Sequence, residues 1–121
     1  VHQTTFVVRC LKWLQSRYTS HSMGITIVGH SMGGLVALAA LSNAIKYLDI
    51  DRDAVGLVIT LASPHSRAPL MTQPAMARFY ASLQSRAGSL HVPTVSISGG
   101  WKDLQVPSSM VLLPGQTSTV T

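Results

Sequence analysis

The pentapeptide Gly29-His30-Ser31-Met32-Gly33 places a serine between two glycines at a spacing suited to nucleophilic attack on a carbonyl. The β-branched run Ile25-Thr26-Ile27-Val28 precedes it and an apolar, alanine-rich stretch from Leu35 to Tyr47 follows, so Ser31 falls on a strand-to-helix turn. In so tight a turn the nucleophile takes a strained backbone conformation. Residues two positions to either side must lack bulk if strand and helix are to close together, which is the role expected of Gly29 and Gly33. The turn lifts the serine Oγ clear at the C-terminal end of the sheet. It also sets it at a helix N-terminus, where free N–H groups and the helix dipole favour developing negative charge. The N–H of Met32 is then one oxyanion-hole donor. The plainer alternative is a glycine-rich turn with a capping serine; the β-branched run before it, the further Gly34 and the apolar helix behind it favour the nucleophile.

A serine nucleophile needs a base, and the base needs an orienting acid. The chain has only four acids, all aspartates: Asp49, Asp51, Asp53 and Asp103. The first three precede the second predicted strand and lie at the opposite end of the sheet from Ser31. Asp103 follows the third strand and lies at the same end, so topology selects it over a surface-loop role. The histidines are His2, His21, His30, His65 and His91, and none follows Asp103. His2 belongs to the first helix, and His21 and His91 precede strands. His30 adjoins the nucleophile with its side chain directed away from it, toward a structural contact. His65 leaves the second strand at the right end and could approach the site, but as base it would break the usual Ser, acid, His order of this arrangement. The base is missing from these residues.

The elements that position these groups follow from hydrophobic spacing. Thr4 to Tyr18 reads as an amphipathic helix with Val7, Leu11, Leu14 and Tyr18 on one face. Ile25 to Val28 reads as a strand buried on both faces. The helix Leu35–Tyr47 has little polar face and must pack on most sides. A second buried strand spans Val55 to Leu61, followed by a proline-broken loop. Pro74 to Ala87 is amphipathic, with Met76, Phe79, Tyr80 and Leu83 on one side and Gly88 at its end. Val92 to Ser98 is a third strand, Val106 to Leu113 one more extended segment, and Gln116–Thr121 a polar tail. Helix and strand alternate, which means parallel strands and right-handed crossovers, an α/β fold. A three-stranded parallel sheet leaves both edges open and is best read as half of a larger sheet.

Composition narrows the class. Hydrophobic residues make up 46% of the 121 and charged residues 11%, against roughly 25% charged in ordinary soluble domains, which excludes disorder for most of the chain. The net charge of +5 comes from scattered Lys and Arg with few acids, without the clustering that nucleic-acid binding requires. The single cysteine, Cys10, excludes an internal disulfide and a cysteine-based metal cluster, and reads as a small buried hydrophobe. No apolar stretch reaches the roughly 20 residues of a membrane helix.

Three stretches carry a resemblance. Ile25–Gly34 looks like the elbow of many α/β-hydrolases, and Thr60-Leu61-Ala62-Ser63-Pro64-His65 resembles a segment of their lipase-like members. Val95-Ser96-Ile97-Ser98-Gly99-Gly100-Trp101-Lys102-Asp103-Leu104-Gln105-Val106 is more distinctive and resembles the matching stretch of the GPI inositol-deacylases. Those endoplasmic-reticulum membrane proteins remove the acyl chain from the inositol of GPI-anchored proteins, promoting protein transport out of that compartment. The resemblance implies a carboxylic ester hydrolase with Ser31 as nucleophile and Asp103 as acid, acting on GPI-anchored proteins or another acylated lipid without metal or organic cofactor. It implies that residues 1–121 are a partial α/β-hydrolase domain. The earlier strands, the catalytic histidine just beyond the acid stretch and the membrane-associated region then belong to other parts of a longer protein. The alternatives are another lipase- or thioesterase-like hydrolase and a catalytically inactive truncated isoform.

Overall fold

The computed structural model describes residues 2–18, 24–47, 50–68, 74–85, 90, 92–113 and 118–120. Helix α1 (His2–Arg17) leads into strand β1 (Ile25–His30), helix α2 (Met32–Tyr47), strand β2 (Val55–Leu61), helix α3 (Pro74–Gln84) and strand β3 (Thr94–Ile97). A short helix α4 (Ser108–Val111) and strand β4 (Ser118–Val120) follow. The strands form one sheet in the order β1-β2-β3-β4, with every neighbouring pair parallel. The expected α/β architecture is the one observed.

A strand order that equals the chain order has a geometric consequence. Each crossover is right-handed, so successive crossovers in one direction deliver their helices to the same face. The core lies on that face. Val8 and Leu11 of α1, Leu38 and Leu41 of α2, and Val55 and Val58 of β2 belong to one buried cluster, against which Ile25, Ile27 and Leu83 pack. Helix α2, with little polar face, is buried from Leu38 through Leu41 as expected.

The opposite face of β1, read as buried on both sides, is uncovered within these 121 residues. Thr26, Val28 and His30 are exposed, Val28 by 60%. Leu57, Ile59 and Leu61 of β2 and Val95 and Ile97 of β3 continue this surface and are half-buried.

Other boundaries moved for local reasons. Helix α1 begins at His2, and its buried residues are Val8 and Leu11; Tyr18 lies past the helix end and is 56% exposed. Cys10 is half-buried rather than buried. Strand β3 starts at Thr94, not Val92, because Pro93 has no N–H to give; its carbonyl still accepts from Val58 N at 3.0 Å. The segment 106–113 is not extended. Oδ1 of Asp103 accepts from the N–H groups of Gln105 (3.0 Å) and Val106 (2.9 Å), which curls the chain, and Pro107 then opens α4 with Val111 fully buried. The fourth strand instead lies in the tail read as polar, pairing Ser118 with Val95 and Val120 with Ile97. Asp49, His21, His91, Ala87 and Gly88 fall outside the described residues.

The two faces respond differently to substitution. Leu41→Ala, in the helix-covered core, lowers stability by about 2–5 kcal/mol. Val28→Thr, on the open face, changes it by less than about 0.5 kcal/mol in the 121-residue chain. Urea denaturation monitored by circular dichroism measures both.

Candidate active site

The turn after β1 has the geometry its sequence calls for. Ser31 has a φ of 52°, a left-handed conformation rare outside glycine that costs about 1–3 kcal/mol unless its surroundings impose it. They do. Ser31 N donates to Leu61 O at 2.8 Å, pinning the turn to the end of β2, and Gly34 N donates to Ser31 O at 3.2 Å. A Cβ on Gly29 would stand 2.6 Å from Gly34 Cα, so this glycine is required for closure. The second close approach is at Gly34, where a Cβ would collide with Ser63 and meet Thr60 Cγ2 at 3.0 Å. Gly33, expected to serve this purpose, has nothing within 4 Å of its Cβ position. Met32 opens α2, where backbone N–H groups have no carbonyl one turn earlier. Its side chain packs against the Leu35, Ala68 and Tyr80 cluster.

Three ladder bonds extend past the strand ends and align this edge of the sheet. Besides Ser31 N to Leu61 O, Ala62 N donates to Ile97 O and Ser98 N to Val120 O, both at 2.8 Å. Ala62 is also left-handed, with a φ of 46°. Beyond Ser98, the 3-10 turn Gly100–Lys102 carries Asp103. Gly99 makes room for it: a Cβ there would lie 2.8 Å from Asp103 Cβ and 2.9 Å from Oδ2. Asp103 borders an open cleft of about 750 Å³ with Ser98, Trp101, Leu104 and Ser108, where Trp101 is 86% and Leu104 91% exposed. Ser31 and Asp103 thus follow β1 and β3, which flank β2. Two strand spacings, about 10 Å, separate the strand ends from which their loops leave, with room for an imidazole ring between the loops. Asp51 and Asp53 lie at the other end of the sheet, in the turn preceding β2, where Asp51 Oδ1 accepts from Asp53 N.

No described histidine fills that gap. His2 and His30 are exposed, His30 on the open face rather than in a buried contact. His65 turns into the helix-side core and is 4% exposed. Its Nε2 lies 2.9 Å from Thr60 Oγ1, which in turn donates to Ser96 Oγ at 3.1 Å. Burial lowers its pKa to about 4, so it is neutral at physiological pH. His65 is therefore not placed as a base reaching over β2. Residue-level reading overlooked Thr60, Ser63 and Ser96, all fully buried. The available signal was a hydroxyl at inward positions of otherwise apolar strands, since buried polar groups need partners. Tyr80 completes the surroundings by donating its hydroxyl to Pro64 O at 2.7 Å, and burial pushes its pKa up to about 12.

A parallel sheet with crossover helices and a serine-bearing turn at its C-terminal edge defines an α/β domain of the α/β-hydrolase type. A crystal structure from Lactobacillus plantarum WCFS1, described as a candidate cell surface hydrolase, has this fold, with a TM-score of 0.63 and 20% identity over 98% of this chain and 50% of that one. The family model of the PGAP1-like alpha/beta domain matches residues 1–121, and the chain belongs to that family. GPI inositol-deacylase from Mus musculus is 32% identical over 119 residues, covering 93% of this chain and 12% of the mouse protein. The Xenopus laevis protein of the same name is 34% identical over 120 residues, with the same coverage of each chain. The Cryptococcus neoformans one is 32% identical over 119 residues, covering 93% of this chain and 15% of its own length. The chain thus spans a small part of the curated relatives it matches.

The depressed pKa of His65 has a stability consequence. Between pH 6.5 and about 4 the unfolded chain binds a proton at this residue that the folded chain does not, so stability falls as pH falls through that window. The loss is at most about 3 kcal/mol and levels off below pH 4. Thermal denaturation between pH 7 and pH 4 should show a shallower decline in His65→Gln, which does not titrate.

Proposed function

We propose that this chain carries the nucleophile and the acid of a serine ester hydrolase that removes the acyl chain from the inositol of GPI-anchored proteins. The observation that carries this reading is Ser31, a non-glycine held at a φ of 52° in a glycine-walled turn. The substrate class is supported by the 32–34% identity to proteins named GPI inositol-deacylase.

In the proposed reaction Ser31 Oγ attacks the acyl carbonyl carbon while a histidine takes its proton. The Met32 N–H donates to the oxyanion as charge develops. Collapse breaks the ester C–O bond, the histidine returns its proton to the inositol oxygen, and the acyl group stays on Ser31. Water, deprotonated by the same histidine, then attacks the acyl-enzyme, releasing the fatty acid and regenerating the serine. Asp103 orients the histidine and stabilises its protonated form.

We assign that histidine to chain beyond Thr121. Strand β4 is parallel to β3, so it ends at the edge that holds Asp103. In this reading residues 1–121 are one part of a larger α/β-hydrolase domain whose earlier strands supply the second oxyanion donor. The complete protein then works at the endoplasmic-reticulum membrane, and deacylation promotes export of its substrates. We assign membrane attachment to other segments of the longer protein; no described helix of this chain is long and apolar enough to cross a membrane.

Ser31→Ala in the longer protein should lower acyl release by about a thousandfold or more. Unchanged turnover overturns the assignment. A fluorophosphonate probe should label the longer protein at Ser31 and the isolated 121-residue chain far more slowly, because a serine without its base is an unactivated alcohol.

A further inference from the structure

We propose that His65 is a positioning residue for the Ser31 turn, acting through Thr60 to hold the loop after β2 against the start of α2. The inference rests on the reading of Ser31 as nucleophile.

Thr60 is the hub. Its Oγ1 meets His65 Nε2 at 2.9 Å and donates to Ser96 Oγ at 3.1 Å, tying the loop to both β2 and β3. With the hydroxyl proton on Ser96, the imidazole donates from Nε2. The methyl group of the same residue, Cγ2, lies 3.0 Å from the Cβ position of Gly34, the residue whose N–H closes the Ser31 turn. Ser63, fully buried, forms the other wall of that contact. The loop is held again by His65 N donating to Ser63 O at 3.0 Å and by the Tyr80 hydroxyl on Pro64 O. A path therefore runs from His65, by its hydrogen bond to Thr60, and on through the packing of Thr60 beside Gly34 to the serine turn.

The surroundings suit a neutral clamp. The cavity bordering His65 is lined mainly by leucines, including Leu38, Leu83 and Leu113, with no charged side chain among the described residues of its lining. A satisfied buried hydrogen-bond network specifies one geometry where apolar packing tolerates several. Such a geometry is needed beside two left-handed non-glycine residues, Ser31 and Ala62, at adjacent strand ends.

The test uses the longer protein that contains this chain, with a p-nitrophenyl acyl ester as substrate. His65→Phe and Thr60→Val should each lower kcat by about tenfold to a hundredfold with KM little changed, since a small misplacement of reacting groups costs that much. The double variant should be no worse than the poorer single one, because both remove the same link. His65→Gln, whose amide can donate to Thr60 in place of Nε2, should retain activity within about threefold of wild type. Full turnover in His65→Phe alongside loss of turnover in Ser31→Ala overturns the positioning role and leaves the nucleophile standing. Retained turnover in Ser31→Ala overturns the nucleophile reading itself. If His65→Phe and Thr60→Val fail to fold, His65→Gln decides. Activity as low as in Ser31→Ala shows His65 to be the base and overturns the proposal, and activity near wild type supports it.

Discussion

The approach of Gly29 to Gly34 is the constraint from which the rest follows. With no side chain at Gly29, strand β1 and helix α2 meet within a distance that a Cβ there would forbid. The residue between them that turns the chain has to be left-handed, and that residue is Ser31. Its hydroxyl is presented at the sheet edge because the backbone has no other way through. The strain is sustained because β2 accepts the Ser31 N–H and packs Thr60 and Ser63 against the start of the helix.

Asp103 is positioned by a second economy of space. Gly99 has no side chain where Asp103 needs to lie, and Oδ1 of Asp103 is engaged by two backbone N–H groups. The same carboxyl group thus shapes the loop and borders the cleft. Both glycine-dependent approaches occur at the C-terminal edge of the sheet, where a parallel arrangement gathers the loops that carry function.

How much was legible beforehand depended on how local each cause is. The Ser31 turn could be read because its glycines, its β-branched strand and its apolar helix adjoin one another in sequence. The place of Asp103 at the Ser31 edge of the sheet could be read because chain order sorts the few acids between its two ends. Strand β2 has the expected bounds, its apolar run ending at Leu61. The misses have distant or side-chain causes. Gly34 rather than Gly33 bears the close packing because Thr60 and Ser63, far along the chain, stand against it. Helix α4 replaced a strand because one carboxylate redirects the backbone before Pro107. Strand β4 has too few residues for alternation to show and is recognisable only by its partner.

The order of strands also bears on how this part of the sheet is built. Each described strand after β1 pairs with the described strand made just before it, so among the four none inserts between two already joined. Loop-closure entropy is met in modest instalments, the condition under which parallel sheets form least slowly. A chain emerging from a ribosome could lay down β1, fold α2 onto it and add β2, β3 and β4 in sequence. The strained serine turn would then be secured as soon as β2 arrived, well before Asp103 had been synthesised.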